Sequence, residues 1–228
     1  MSALSPLSDK HLAIFGGPFG SGKTEVAINY ALLSAASGRP TAIADLDIVN
    51  PYFRTSGQRA RLEQAGIRVV APSSRLAQFD APALPGEITG LLRDAAWSIF
   101  DVGGDPVGTA VLAGLVSQIA EKEYDFWIVV NQRRPQTRTR DDIIARVQEI
   151  EAAARLTVTG LVSNTHLSEQ TIVEHMLTGH QLIEQAATQL RLPVAFAAVP
   201  ASLVGQASWK VPILPIVRRL RVPWEEEH

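Results

Sequence analysis

The eight residues Gly17-Pro18-Phe19-Gly20-Ser21-Gly22-Lys23-Thr24 satisfy G-x-x-x-x-G-K-[ST] at every fixed position. Glycines let a backbone wrap a phosphate that a Cβ would crowd out. Main-chain N–H groups and the positive end of a helix dipole then converge on one anion. Lys23 can carry its ammonium to β- and γ-phosphates, and the Thr24 hydroxyl can ligate Mg²⁺. Glu25 follows at the helix start. Residues 17–25 therefore predict a loop for the phosphates of a nucleoside triphosphate. The bland alternative is a glycine-rich surface turn with a chance lysine. The flanks argue against it, because residues 11–15 read as an apolar strand and residues 25–33 as a helix.

A second set of candidates closes other apolar runs. Residues 97–101 end at Asp101, and Asp101-Val102-Gly103-Gly104 spells D-x-x-G. A carboxylate there can hold a Mg²⁺ hydration shell, and the Gly104 N–H can meet a γ-phosphate without Cβ hindrance. A lone strand-end Asp can equally cap a turn. Residues 41–45 run into Asp45-Leu46-Asp47-Ile48-Val49-Asn50-Pro51, where alternate spacing points Asp45 and Asp47 the same way. Two such carboxylates can order Mg²⁺ and a nucleophilic water, or simply cap turns before Pro51.

These residues need a scaffold, and the rest of the chain supplies one. Further strand-length runs lie at residues 67–70, 126–131, 158–164 and 194–199, with helical spacing at 141–156 and 170–190. Gly179 is expected to break or bend the last helix. Continuously apolar strands alternating with helices predict a single-domain α/β fold, a three-layer P-loop NTPase with a mostly parallel sheet of about seven strands and helices on both faces. Ligands of such sheets gather beyond the carboxyl ends of the strands, where the candidates sit. The expected boundaries are a tail at 1–10, the domain at 11–222 and a tail at 223–228. Residues 213–222, flanked by prolines, are expected to pack on the body.

Taken together, the phosphate loop, the D-x-D of Asp45 and Asp47, the D-x-x-G from Asp101, and the Asn ending Gly160-Leu161-Val162-Ser163-Asn164 resemble the MinD/ParA/Mrp-like (SIMIBI) branch of P-loop ATPases. The resemblance spans about residues 12–200. It implies an ATP/ADP site with Mg²⁺ held by Thr24, Asp45 and Asp101, and Asp47 positioning the attacking water. It implies that Asn164 meets the adenine edge and that Pro200 lies on a loop near the base. On the residues alone Asn164 could be a turn former. The chain departs from the family at Pro18, which stands where those loops carry a signature lysine that reaches across a dimer; the loop is an ordinary Walker A. Arg54, Arg133 and Arg134 sit on loops where one could substitute, although solvated or paired arginines are commoner.

Composition narrows the rest. In 228 residues, 46% are hydrophobic and 19% charged, with a formal net charge of −2, so there is no bulk attraction to nucleic acid or anionic lipid. The absence of cysteine excludes disulfides and thiolate metal sites within the chain. No run approaches the ~20 apolar residues of a membrane span, and the expected compartment is the cytoplasm. His166, His175 and His180 are expected in capping or surface roles, and Tyr52 and Phe53 in packing or partner contact. The expectation is a Mg²⁺-dependent ATPase that is slow without a partner: a nucleotide-gated switch, homodimeric with ATP and read by another protein. The alternatives are an ATP-dependent small-molecule kinase or ligase, and a non-hydrolysing nucleotide-binding adaptor.

Overall fold

The computed structural model describes residues 5–47, 58–71, 86–104 and 106–220, with only the backbone of 106 and 107. One sheet runs through them. Its strands are β1 (Leu12–Gly16), β2 (Thr41–Leu46), β3 (Arg68–Val70), β4 (Trp97–Val102), β5 (Tyr124–Val130), β6 (Gly160–Ser163), β7 (Val194–Pro200) and β8 (Ile213–Ile216). They lie in the order β3-β2-β4-β1-β5-β6-β7-β8, and every adjacent pair is parallel. The count is eight rather than about seven. The additional strand, β8, is the proline-flanked segment expected only to pack on the body.

The helices are α1 (Lys23–Ala36), α2 (Arg59–Gln64), α3 (Gly86–Leu91), α4 (Pro106–Ala110), α5 (Val116–Ala120), α6 (Arg140–Ala154) and α7 (Val173–Leu190). Continuous apolarity in the strands follows from coverage on both faces. In β1, Leu12 and Ile14 face a core shared with Ile88, Leu115, Ile143 and Ile183 of the helical segments between α3 and α7. Ala13 and Phe15 face the opposite core, built with Val26, Ile28 and Ala31 of α1 and Leu62 of α2. This is the expected three-layer arrangement.

α1 is seated by an aromatic box. Its Tyr30 meets Phe15, Trp127 and Phe196 with ring centroids 5.2, 5.6 and 6.0 Å apart. Such contacts add to plain burial and hold the helix against the strand whose carboxyl end becomes the phosphate loop.

Gly179 corrects an expectation. α7 runs unbroken from Val173 to Leu190 with Gly179 buried inside it. A Cβ there would lie 2.1 Å from Thr165 Oγ1, so the glycine serves the close approach of α7 to the loop after β6, not a helix break.

Candidate functional site

The loop between β1 and α1 takes backbone conformations that side chains resist. Gly17, Gly20 and Gly22 have φ of 145°, 76° and 84°, in the region that favours glycine. Gly22 is also the left-handed N-cap of α1. A Cβ on Gly17 would sit 2.5 Å from the Val129 carbonyl, and one on Gly22 would sit 2.4 Å from Asn164 Nδ2. Inside the loop the Ser21 N–H donates to the Pro18 carbonyl at 3.0 Å.

Three outside groups hold this loop. Asn164 Nδ2 donates to the Ser21 carbonyl at 2.7 Å, and Arg134 Nε donates to the Gly20 carbonyl at 2.9 Å. The Gly104 backbone packs so closely that a Cβ would lie 2.8 Å from both the Gly17 carbonyl oxygen and the Phe19 nitrogen. Of the arginines considered as substitutes for a signature lysine, Arg134 therefore reaches the loop. Arg133 is exposed, and Arg54, like Tyr52 and Phe53, lies outside the described residues.

On the β2–β4 side the acidic candidates come together. Asp45 and Asp101 are direct neighbours in the β2–β4 register, and Phe15 of β1 faces Asp101 from the other side. The Asp47 N–H donates to Asp45 Oδ1 at 3.1 Å. Lys23 Nζ lies 3.4 Å from Asp47 Oδ2, with both side chains almost wholly buried. Burial pushes the Asp101 carboxyl up to about 7, against the Lys23 charge and a hydrogen bond from Thr24, while Asp45 and Asp47 add to the rise. Three buried carboxylates thus lie about one buried ammonium. A divalent cation is the kind of ion that clustered carboxylates favour. Among the described residues no three His, Cys, Asp or Glu side chains are grouped so as to hold a metal ion.

On the β5–β7 side the loop opens into a cavity of about 710 Å³, within the range that takes a small organic ligand. Lys23, Thr24, Asn164 and Pro200 all line it, so the phosphate loop and both residues expected near a base share one space. Phe19 also lines it and stays 63% exposed. His166 stands on the same wall. Its imidazole is driven down to about 4, first by burial and then by the charges of Arg134 and Arg218, so it is neutral at physiological pH rather than a surface cation. His180 is likewise no surface group; it is buried edge-on against Trp209 with centroids 5.1 Å apart.

Glu25 is placed differently from a direct ligand. Its carboxylate accepts the N–H groups of Arg219 and Leu220 at 2.9 and 3.0 Å and an N–H of Asn29 at 3.2 Å. It contributes to the cavity as part of the wall, together with Ile216, Val217, Arg218 and Leu220. That last wall was invisible in the sequence, which shows no motif after residue 201. Its apolar run Ile213-Leu214-Pro215-Ile216-Val217 was the one available signal.

The sheet order and this loop define the architecture of a P-loop nucleoside-triphosphatase domain. Among solved structures, the chain is similar to the signal recognition particle 54 kDa protein from Aeropyrum pernix K1 in complex with GDP, with 17% identity and a TM-score of 0.56 over 85% of this chain. It is also similar to the cell division protein FtsY from Thermotoga maritima, with 17% identity and a TM-score of 0.59 over 87% of the chain. FlhF complexed with GMPPNP and Mg²⁺ matches over 86% at 13% identity and a TM-score of 0.54. The chain spans 43%, 65% and 70% of these three proteins. At such identity the likeness establishes the fold. No protein-family model matches the chain, and no curated protein matches it in sequence.

Proposed function

We propose that this chain is a Mg²⁺-dependent ATP-binding protein that hydrolyses ATP slowly and works as a nucleotide-gated switch. The observation that carries the reading is the shared cavity: a glycine loop with three positive-φ glycines, the buried Lys23 ammonium and Asn164 open into one space of about 710 Å³. The residues fit the nucleotide and its metal. The loop backbone holds conformations that favour glycine, and Asp45 and Asp101 lie side by side behind it. Thr24, Asp45 and Asp101 would hold Mg²⁺, which supplies neutralisation of phosphate charge.

Lys23 is the link between binding and switching. Phosphate oxygens entering the loop compete with Asp47 for one ammonium, so nucleotide binding and the position of the segment carrying Asp47 are coupled. Asp47, drawn off Lys23, is the group able to orient a water for in-line attack. Gly104, touching the loop backbone, senses the γ-phosphate end. The reading also includes dimerisation with ATP, a protein partner that reads the switch, and a cytoplasmic location.

A specific feature favours adenine over guanine. Guanine presents N1–H and N2–H donors that call for a carboxylate, but among the described residues the acidic groups on the cavity wall are Glu25, committed to backbone N–H groups, and Glu169, which is 89% exposed and paired with Arg218. The Asn164 amide, whose Nδ2 donates to the Ser21 carbonyl, has in Oδ1 an acceptor that suits the adenine N6 amino group. The second reading is a GTP site, favoured by the GDP- and GMPPNP-bound proteins of the same fold.

Calorimetric titration with Mg-ATP and Mg-GTP, with phosphate release measured in parallel, separates the two. Wild type is expected to prefer ATP. Lys23→Ala should lose at least 100-fold in affinity, the roughly 3 kcal/mol of a buried charge–phosphate contact. Retained binding and turnover in Lys23→Ala would overturn the proposal. Light scattering with a non-hydrolysable ATP analogue tests the dimer.

A further inference from the structure

The cavity's last wall is a strap. After β8 the chain runs along the first two turns of α1, where directional polar contacts join the packing of Ile216 and Leu220 against the core on that face. Val217 and Asn29 exchange two hydrogen bonds, Asn29 Nδ2 donating to the Val217 carbonyl and the Val217 N–H donating to Asn29 Oδ1, both at 3.1 Å. Glu25 then takes the next two free amides, Arg219 N–H on Oε1 and Leu220 N–H on Oε2. Gln58 Nε2 donates to the Arg219 carbonyl at 3.1 Å, and Arg218 reaches across to Glu169 on the opposite wall at 3.6 Å. Ile216, Val217 and Leu220 turn apolar surface to the cavity.

We propose that residues 216–220 form the wall that seats the nucleoside end of the ligand, and that Glu25 is the positioning residue that latches this wall to the phosphate-loop helix. The inference rests on the nucleotide-binding reading above. Its physical content is a division of labour. Triphosphate is held by the loop of residues 17–24, whereas the flat aromatic base needs a surface on which to pack. Beyond Ile216, which still pairs with Pro200 in the sheet, the strap's backbone is tied by side-chain hydrogen bonds instead of a sheet ladder. Glu25 lies one residue beyond Thr24, so the latch that sets the strap and the phosphate cradle share the first turn of α1. A ligand carrying a nucleoside feels the latch; a bare polyphosphate does not.

The test compares two probes, Mg-ATP and inorganic tripolyphosphate with Mg²⁺, on the full chain by calorimetry. Wild type should bind ATP more tightly than tripolyphosphate. Glu25→Ala and Asn29→Ala should each cut the ratio of the two affinities at least tenfold, and Glu25→Gln, which keeps one carbonyl acceptor, by less. Amide exchange at Arg219 and Leu220 should quicken in Glu25→Ala at unchanged far-ultraviolet circular dichroism. Lys23→Ala should weaken both probes together. An unchanged ratio in Glu25→Ala, or equal losses for both probes, would overturn the strap while leaving nucleotide binding intact. A wild-type protein that binds neither ATP nor GTP would overturn the parent reading and this inference with it.

Discussion

Replacing Gly179 by alanine sets helix propensity against packing, and the structure decides which wins. In an exposed helix interior, Gly→Ala gains about 1 kcal/mol. Here the new methyl would lie 2.1 Å from Thr165 Oγ1 and 2.6 Å from both Thr165 Cβ and Cγ2. Carbon atoms rest ~3.5–4.0 Å apart, so α7 and the loop after β6 must separate by about 1 Å. Rotating Thr165 does not relieve the clash, because its Cβ is itself too near. Thr165 is buried, and its Oγ1 accepts the Gln132 N–H at 3.3 Å. Overpacking of this kind costs about 1–3 kcal/mol and a lost hydrogen bond about 1 more. After the propensity gain, a net loss of roughly 1–3 kcal/mol remains. In urea unfolding this should lower the midpoint by roughly 0.3–1 M at ordinary m-values. In a double-mutant cycle with Thr165→Gly the two changes should couple favourably by about 1 kcal/mol or more. A Gly179→Ala protein that unfolds at higher urea than wild type would refute the reasoning, since propensity alone would then govern the site.

The other predictions concern the loop and its walls. Gly104→Ala pushes a Cβ to 2.8 Å from two backbone atoms of the phosphate loop that cannot rotate away. It should weaken Mg-ATP binding at least tenfold in calorimetry, about the 1–3 kcal/mol of overpacking. His166, with its pKa held down from 6.5 to about 4, lets the unfolded chain bind a proton that the folded one refuses. Stability should therefore be intact above pH 6.5 and fall as pH drops towards 4, by up to about 3 kcal/mol. Urea midpoints against pH should show this slope in wild type and a flatter one in His166→Gln. The Lys23→Ala loss of nucleotide and the Glu25→Ala loss of ATP-over-tripolyphosphate preference complete the set.

Much of the fold was legible because its signals are local and repeated. Seven apolar runs each became a strand within a few residues of where their composition placed them, since a strand buried on both faces must be apolar throughout. β8 escaped because Pro212 precedes its four residues and Pro215 lies inside them, and proline speaks against a strand. The structure accommodates it as an edge strand paired only to β7. Gly179 misled for the opposite reason: its propensity is local, but its purpose is a contact with Thr165, fourteen residues upstream.

Asn164 shows how far residue chemistry carries and where geometry takes over. Its type and strand-end position pointed to a hydrogen-bonding role at the ligand, and it does line the cavity. Its amide N–H, however, is engaged by the Ser21 carbonyl, a partner 143 residues away that no sequence pattern announces. The consequence is mechanical. A peptide unit is planar and trans, so fixing the Ser21 carbonyl fixes the Gly22 N–H in the opposite direction. Arg134 fixes the Gly20–Ser21 peptide in the same manner, and Gly104 sets the distance of the Gly17–Phe19 backbone. Donors held in this way need no reorganisation when an anion arrives, and an anion site gains most from dipoles already aimed. The loop motif names the donors. The directions in which they are held come from Asn164, Arg134 and Gly104, each on a different strand end of the sheet.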